Sequence, residues 1–211
     1  VLGGLRDMDR ITHGYGTLGD KYNVKVVKDT VTGVDPEKRR LTLASGNPVD
    51  YDRLVISPGI DFQWNAIKGY DEAASQIVPH AWKAGPQTLL LRKQLEAMKD
   101  GGTVIISSPG NPFRCPPGPY ERASMIAMYL KKHKPKSKLI ILDTKDKFAK
   151  QDLFMDGWRQ LYSGMIEWVP LSQGGKVTSV DPAAMTLTTE FAPHKAAVIN
   201  VIPPQKAGAL A

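Results

Sequence analysis

The chain has 211 residues, 42% hydrophobic and 23% charged, ordinary proportions for a globular protein of one large domain or two small ones. Its net charge of +7 would suit an anionic partner, but the densest basic group, KKHKPKSK (131–138), sits between a helix and a strand without interleaved aromatics, which argues for a solvated connection and against nucleic acid. No apolar run nears the ~18 residues of a membrane span, VLGGLRDMDR does not read as a signal peptide, and one cysteine excludes a disulfide within these residues.

In chain order, RDMDRITHGYGTLGDKY (6–22) predicts a helix and VKVVKD (24–29) a strand. VTGVDPEKRRLTL, from Val31, predicts a strand, a turn at Asp-Pro and a second strand, with a return strand closing on proline in VISP (55–58). QTLLLRKQLEAM (87–98) has helical spacing, and TVIIS (103–107) reads as a buried strand. Residues 119–133 predict a helix whose apolar stripe is Ala123, Ile126, Ala127 and Leu130. KLIILD (138–143) is a strand, FMDGWRQLY (154–162) a helix and MIEWV (165–169) a strand. VTSVDPAAMTLTT, from Val177, then repeats the earlier meander and closes on VIPP (201–204).

That repeat sets the architecture. Val31, Thr32, Val34, Asp35, Pro36, Leu41, Thr42, Val55, Ile56 and Pro58 all recur 146 residues later. The second copy follows a full βαβαβ lead-in, which implies a parallel three-layer unit with right-handed crossovers. The first copy lacks such a lead-in, by about 50–60 residues for one βαβ unit with its connections. The expected fold class is α/β: two Rossmann-like, dinucleotide-binding-type three-layer domains with β-meanders, the first incomplete. Residues 1–80 with 197–211 would form a partial FAD-binding domain and 81–196 an inserted NAD-like domain, the whole a fragment of a longer protein.

The strand-to-helix turn of the second domain is where such folds keep a glycine-rich phosphate loop. Here it reads NPFRCPPGPYERA (111–123) and holds the lone Cys115. A dinucleotide loop needs G-x-G-x-x-G and free backbone N–H groups; this stretch has neither, so NAD is not expected. A phosphatase loop needs five residues between Cys and Arg, whereas PPGPYE puts six between Cys115 and Arg122, three of them prolines without an N–H. Two readings of Cys115 stay open: a small buried hydrophobe, or a thiol activated by the helix N-terminus with Arg114 and Arg122 adding positive potential, on a turn stiffened by proline with Pro119 at the helix start. Glu121, in the first helical turn, complements the helix dipole. Asp143 ends its strand where a ribose-binding acid would sit, and without the loop it reads as a strand-end cap. Trp82, where the chain would cross between domains, reads as a packing anchor. His13, His80, His133 and His194 show no metal spacing.

HGYGTL, YDRLVISPGIDF, PHAWKAGPQTLLLRKQLEAM, PFRCPPGPYERASMIAMYLKKHKPKSKLIILD and VINVIPPQKAG together resemble the flavoprotein subunit of flavocytochrome c sulfide dehydrogenase, a two-dinucleotide-binding-domain flavoprotein. The Cys-Pro-Pro-Gly-Pro-Tyr-Glu-Arg block is the most specific part. The resemblance implies an FAD enzyme that oxidises sulfide through a redox disulfide and passes electrons to a cytochrome c subunit in the periplasm. Cys115 would be one half of that disulfide, its partner in a segment following Ala211, and Glu121 an acid beside it that shuttles a proton. Val26 and Val27 match the strand that presents backbone to adenine, although a plain buried strand explains them equally. Pro58 and Gly59 match the turn that passes close to FAD, and Pro203 and Pro204 an active-site wall. The glycine-rich FAD loop and the cysteine that attaches flavin are not in the sequence, so these residues alone are expected neither to hold FAD tightly nor to oxidise sulfide. LYSGMIEW (161–168) is shorter than the family usually has there. Two alternatives remain: a sulfide:quinone oxidoreductase with an amphipathic membrane anchor, and a non-catalytic docking module in which Cys115 is structural.

Overall fold

The structure is a computed structural model that describes residues 1–210. It packs as two compact units: residues 9–61 with Lys206 onward, and residues 1–8 with 62–205. The chain runs α1 (Met8–Ile11), α2 (Gly16–Tyr22), β1 (Val31–Asp35), β2 (Arg40–Leu43), β3 (Pro48–Asp50), β4 (Ile60–Phe62), α3 (Pro86–Ala97), β5 (Thr103–Ser108), α4 (Gly118–His133), β6 (Lys138–Asp143), α5 (Gln151–Leu161), β7 (Ile166–Val169), β8 (Val177–Asp181), β9 (Thr186–Thr189), β10 (Pro193–Lys195), β11 (Val198–Val201) and β12 (Gln205–Ala207).

The smaller unit is built on the antiparallel meander β1-β2-β3. Three expectations change here. Residues 6–22 form two short helices instead of one; neither α1 nor α2 buries a residue, and helices this short are marginal without an apolar face to pack. Residues 24–29 form no strand, and Val24, Val26 and Val27 are exposed. Residues 55–58 also form none, and Val55 is 87% exposed. An extended segment becomes a strand only beside a hydrogen-bonded neighbour, and none of the described residues supplies one.

The larger unit holds a four-stranded parallel sheet of order β11-β5-β6-β7 and a second meander, β10-β9-β8. Such a sheet is buried on both faces, so its strands are nearly continuous apolar runs: Val104, Ile105, Ile106, Leu139, Ile141 and Leu142 are fully buried. The expected stripe of α4, Ala123, Ile126, Ala127 and Leu130, is likewise fully buried, and α4 packs on β5 and β6 while α3 packs on β11. The parallel α/β sheet with its crossovers is therefore as expected. Tyr70, Val78 and the β11 residues Ile199 and Val201 share one core with Ile105, Leu142 and Leu187. Packing thus groups 62–80 and 197–205 with the parallel sheet, against expected boundaries at 80 and 197. The short stretch after α5 closes as a tight turn, with Tyr162 N–H on Trp158 O at 2.8 Å and Met165 N–H on Tyr162 O at 2.9 Å.

The internal repeat extends to single hydrogen bonds. Both meanders carry an irregularity at the same place, between Val31 and Gly33 and between Val177 and Ser179. Thr32 Oγ1 donates to Thr42 O at 3.3 Å, and Thr178 Oγ1 to Thr188 O at 3.1 Å. Asp35 Oδ1 accepts the Lys38 N–H and Asp181 Oδ1 the Ala184 N–H, each at 2.9 Å. Arg39 and Met185 then enter left-handed backbone at φ 51° and 50°. Asp-Pro at the head of the turn dictates this geometry in both copies, because the aspartate side chain replaces a backbone acceptor in the turn.

Candidate active site

Cys115 lies in the loop between β5 and α4. It is exposed, so it is not the small buried hydrophobe that one reading allowed. Its φ is 62°, left-handed backbone that few non-glycine residues adopt. The Gly118 N–H donates to Cys115 O at 2.8 Å, and α4 begins there with Pro119 in its first turn. Glu121 is in the same first turn, exposed, and forms no ion pair among the described residues.

Behind the loop lies a strap, residues 79–82, whose backbone is held by side chains. Arg122 Nη1 donates to His80 O at 2.9 Å and to Asn200 Oδ1 at 2.8 Å, and Arg122 Nη2 to Ala81 O. Asn200 Nδ2 donates to Pro79 O at 2.7 Å and His80 O at 2.8 Å. Arg114 Nη2 donates to Trp82 O, and Gln87 Oε1 accepts from His80 N at 2.9 Å. This grip sustains Ala81 at φ 46°, a conformation that persists only where its surroundings over-determine it. The two arginines expected to add potential at Cys115 are thus anchored on carbonyls. Burial pushes the Arg122 guanidinium down to about 10, and charge on Cys115 acts in the opposite direction. No carboxylate pairs with Arg122 among the described residues. His80 Nδ1 accepts the Trp82 N–H at 2.9 Å, so the ring carries its proton on Nε2. Burial, then Arg122 and Lys83, lower its pKa to about 4, which keeps it neutral. Trp82 is buried as expected, with Arg122 4.9 Å over its ring and Phe113 beside it.

At the carboxyl ends of β5 and β6 the structure corrects the reading of Asp143. It is not a strand-end cap but a fully buried hub. Tyr120 Oη donates to Asp143 Oδ2 at 2.5 Å, Trp168 Nε1 to the same oxygen at 3.0 Å, and Lys145 Nζ to Oδ1 at 2.6 Å. A carboxylate survives inside a protein when donors surround it in this way. Burial, then the hydrogen bond to Asp143, raise the Tyr120 phenol; burial lowers Lys145 while Asp143 opposes that. The Tyr120 and Phe148 rings stack at 3.7 Å. Phe148 also lines a crevice of about 270 Å³ with Asn111, Phe113, Pro116, Lys145, Lys147 and Ala149.

The residues expected at a flavin fall in both units. Val26 and Val27 are exposed and unpaired, not a strand edge. Pro58 is exposed and Gly59 has φ 73° with open space where a Cβ would be, and Gly59 O accepts the Gly208 N–H at 3.1 Å. In the larger unit Pro204 O accepts the Gln63 N–H at 2.9 Å. Among the described residues no cluster of three His, Cys, Asp or Glu could hold a metal, and no helix is long and apolar enough to cross a membrane. Asn200 and Gln205 carried no local signal, because they act on partners about 90 to 120 residues away, whereas His80 and Gln87 act within a few residues of the strap.

Known proteins place this geometry. The chain is 27% identical over 110 residues to a mitochondrial sulfide:quinone oxidoreductase of Dictyostelium discoideum, covering 51% of this chain and 24% of that protein. It is 28% identical over 131 residues to a sulfide-quinone reductase of Aquifex aeolicus, covering 61% of this chain and 29% of that protein. The chain therefore spans under a third of these relatives' length. Among solved structures, the sulfide:quinone oxidoreductase of Aquifex aeolicus aligns over 96% of this chain and 48% of its own with TM-score 0.66 and 21% identity. Putidaredoxin reductase, from its covalent complex with putidaredoxin, aligns over 95% and 46% with TM-score 0.67 and 14% identity. These two likenesses show the shared fold. The family model for the central region of the sulfide dehydrogenase [flavocytochrome c] flavoprotein chain matches residues 88–203, which include Cys115, Glu121, the Asp143 hub and Asn200. The chain belongs to the family of flavocytochrome c sulfide dehydrogenase flavoprotein chains.

Proposed function

We propose that this chain is part of an FAD-dependent sulfide dehydrogenase in which Cys115 is one half of a redox disulfide. The observation that carries the reading is the placement of the only cysteine: exposed, at the start of α4, in the loop where a dinucleotide-binding fold would bind phosphate. Because the chain has one cysteine, its partner would come from outside these residues. Hydrosulfide attacks one sulfur of the disulfide. A new S–S bond forms to the incoming sulfur, the cysteine–cysteine bond breaks, and the second cysteine leaves as thiolate. Glu121, one turn into α4 and without an ion-pair partner among the described residues, takes the proton of the bound sulfur. FAD, when bound, supplies the two-electron acceptor that passes electrons singly to a cytochrome c haem.

For the flavin, Gly59 fits: its left-handed backbone and open flank allow close approach. Pro58 precedes it in the same turn, and Pro204 is a further proposed flavin-contacting residue. Val26 and Val27 would offer free backbone groups to adenine without the strand expected there. NAD has no place in this reading. Asp143 is occupied by three side-chain donors, and the 111–119 turn has no G-x-G-x-x-G and loses four N–H groups to proline. A periplasmic location goes with the cytochrome partner.

The acceptor has a second reading, a quinone, because both curated relatives are named for quinone. Sulfide-dependent reduction of cytochrome c by the full-length protein containing these residues, measured beside reduction of a soluble quinone, decides it. The proposal expects cytochrome c to be reduced faster; faster quinone reduction overturns the acceptor.

A further inference from the structure

We infer that Gln205 is the positioning residue of Cys115: acting through the backbone of Arg114, it holds the thiol where a disulfide can close. The inference rests on reading Cys115 as half of a redox disulfide, and it adds what presets that half before the bond forms.

At the carboxyl edge of the parallel sheet, β5 and β11 run side by side, with Val201 opposite Ser107 and the Ile202 N–H on Ser107 O at 3.0 Å. Beyond this pair both chains leave the sheet. β5 continues toward the Cys115 loop, and β11 into Pro203, Pro204 and Gln205. One bond ties them again: the Arg114 N–H donates to Gln205 Oε1 at 2.9 Å. Gln205 is buried and is itself fixed by a third segment. Gln63 Nε2 donates to Gln205 O at 2.8 Å, and the Gln63 N–H to Pro204 O at 2.9 Å.

The loop needs such a hold from outside. Pro112, Pro116, Pro117 and Pro119 have no N–H to give. Among the described residues, the Arg114 N–H is the one backbone donor of residues 111–118 that bonds outside the loop. Cys115 meanwhile stands at φ 62°, a state strained for any side chain larger than glycine and kept only where neighbours enforce it. On its far side the Gly118 N–H closes on Cys115 O at 2.8 Å. On its near side the Gln205 oxygen holds the backbone of the preceding residue, whose guanidinium anchors on Trp82 O. Gln205 acts through that oxygen, because its Nε2 is buried without an acceptor, a costly state for an amide. A disulfide is favoured in proportion to how often its two sulfurs meet in bonding geometry. Fixing Cys115 raises that fraction and so protects the bond against reduction.

The test uses the full-length protein containing these residues, equilibrated anaerobically with mixtures of reduced and oxidised dithiothreitol. Each exchange turns the protein disulfide into two thiols and dithiothreitol into its cyclic disulfide. Alkylation mapping then reads the fraction of Cys115 that is free. Gln205→Met keeps the length of the side chain but has no oxygen. Its disulfide is expected to open about tenfold more readily, the scale of one buried donor left unpaired, which is a rise of about 30 mV in potential. Gln205→Glu keeps the acceptor, and its negative charge disfavours thiolate, so no rise is expected. Amide hydrogen exchange at Arg114 quickens about tenfold in Gln205→Met and stays slow in Gln205→Glu. A potential or an Arg114 exchange rate unmoved in Gln205→Met, or an equal rise of potential in Gln205→Glu, overturns the role of Gln205 and leaves the disulfide reading standing. A free Cys115 thiol in the oxidised wild type overturns that reading, and this role with it.

Discussion

His80 gives this fold a defined acid limit. Its Nδ1 accepts the Trp82 N–H at 2.9 Å, its ring packs on Phe62 at 4.4 Å, and the cations of Arg122 and Lys83 face it. Protonation would need Nδ1 to release that hydrogen bond and add a further positive charge beside Arg122 and Lys83. Its pKa is lowered from the ordinary 6.5 to about 4. Between those values the unfolded chain binds a proton that the folded chain refuses. Stability from His80 is therefore complete above pH 6.5 and is lost as pH falls through about 4. The full difference is worth about 3 kcal/mol, or about 6–12 °C in Tm for a chain of this size. His80→Asn keeps an acceptor near the position of Nδ1 but cannot titrate. Thermal unfolding of both proteins across this pH range isolates the effect, since exposed carboxylates such as Asp50 and Asp146 contribute equally to each. The Tm gap between wild type and variant should shrink steadily as the pH falls below 6.5. Parallel curves would refute the argument.

Other predictions concern the hub and the loop. Tyr120→Phe removes one of three donors to the buried Asp143 and should cost about 1–3 kcal/mol in urea unfolding; a change within error would mean that the 2.5 Å contact does not hold the carboxylate. Gly175→Ala would set a Cβ 2.0 Å from Val169 O and 2.7 Å from Asp143 O, backbone that cannot yield, so it should lower stability by about 3 kcal/mol or more; a soluble protein of wild-type Tm would contradict the packing. Cys115, being exposed, should react with iodoacetamide in the folded chain as readily as in denaturant, whereas labelling only on unfolding would restore the structural-cysteine reading. Arg122→Leu leaves the carbonyl of Ala81 without its donor and should loosen the strap, seen as faster amide exchange at residues 80–82 with exchange in β6 unchanged.

The sequence made the periodic parts legible. Strands 103–108 and 138–143 are built on the apolar runs VII and LIIL, the α4 stripe has one period, and Val-Thr-x-Val-Asp-Pro fixes the same turn twice, down to the Thr32 and Thr178 hydroxyls. Failures came where a local pattern needs a distant partner. VKVVKD has every residue a strand wants, but pairing is a property of the neighbour. HGYGTL has helical composition, yet two glycines and no buried face leave only short turns of helix. Asp143 looked like a cap because nothing in KLIILD foretells Tyr120 and Trp168 converging on one oxygen from 23 and 25 residues away. Cys115 itself was legible in position, as the thiol in the phosphate-loop place. The side chains around it were not, because Trp82 and Gln205 reach the loop only through Arg114, from 32 and 91 residues away.

The central claim is that Cys115 belongs to a disulfide that sulfide opens. Peptide mapping of the full-length protein under non-reducing conditions tests it most directly. The account predicts that Cys115 in the oxidised protein is joined to a cysteine outside these 211 residues, and that anaerobic addition of sulfide frees it or leaves it carrying one extra sulfur. A free Cys115 thiol in the oxidised protein, or a disulfide that sulfide leaves intact, would contradict the account.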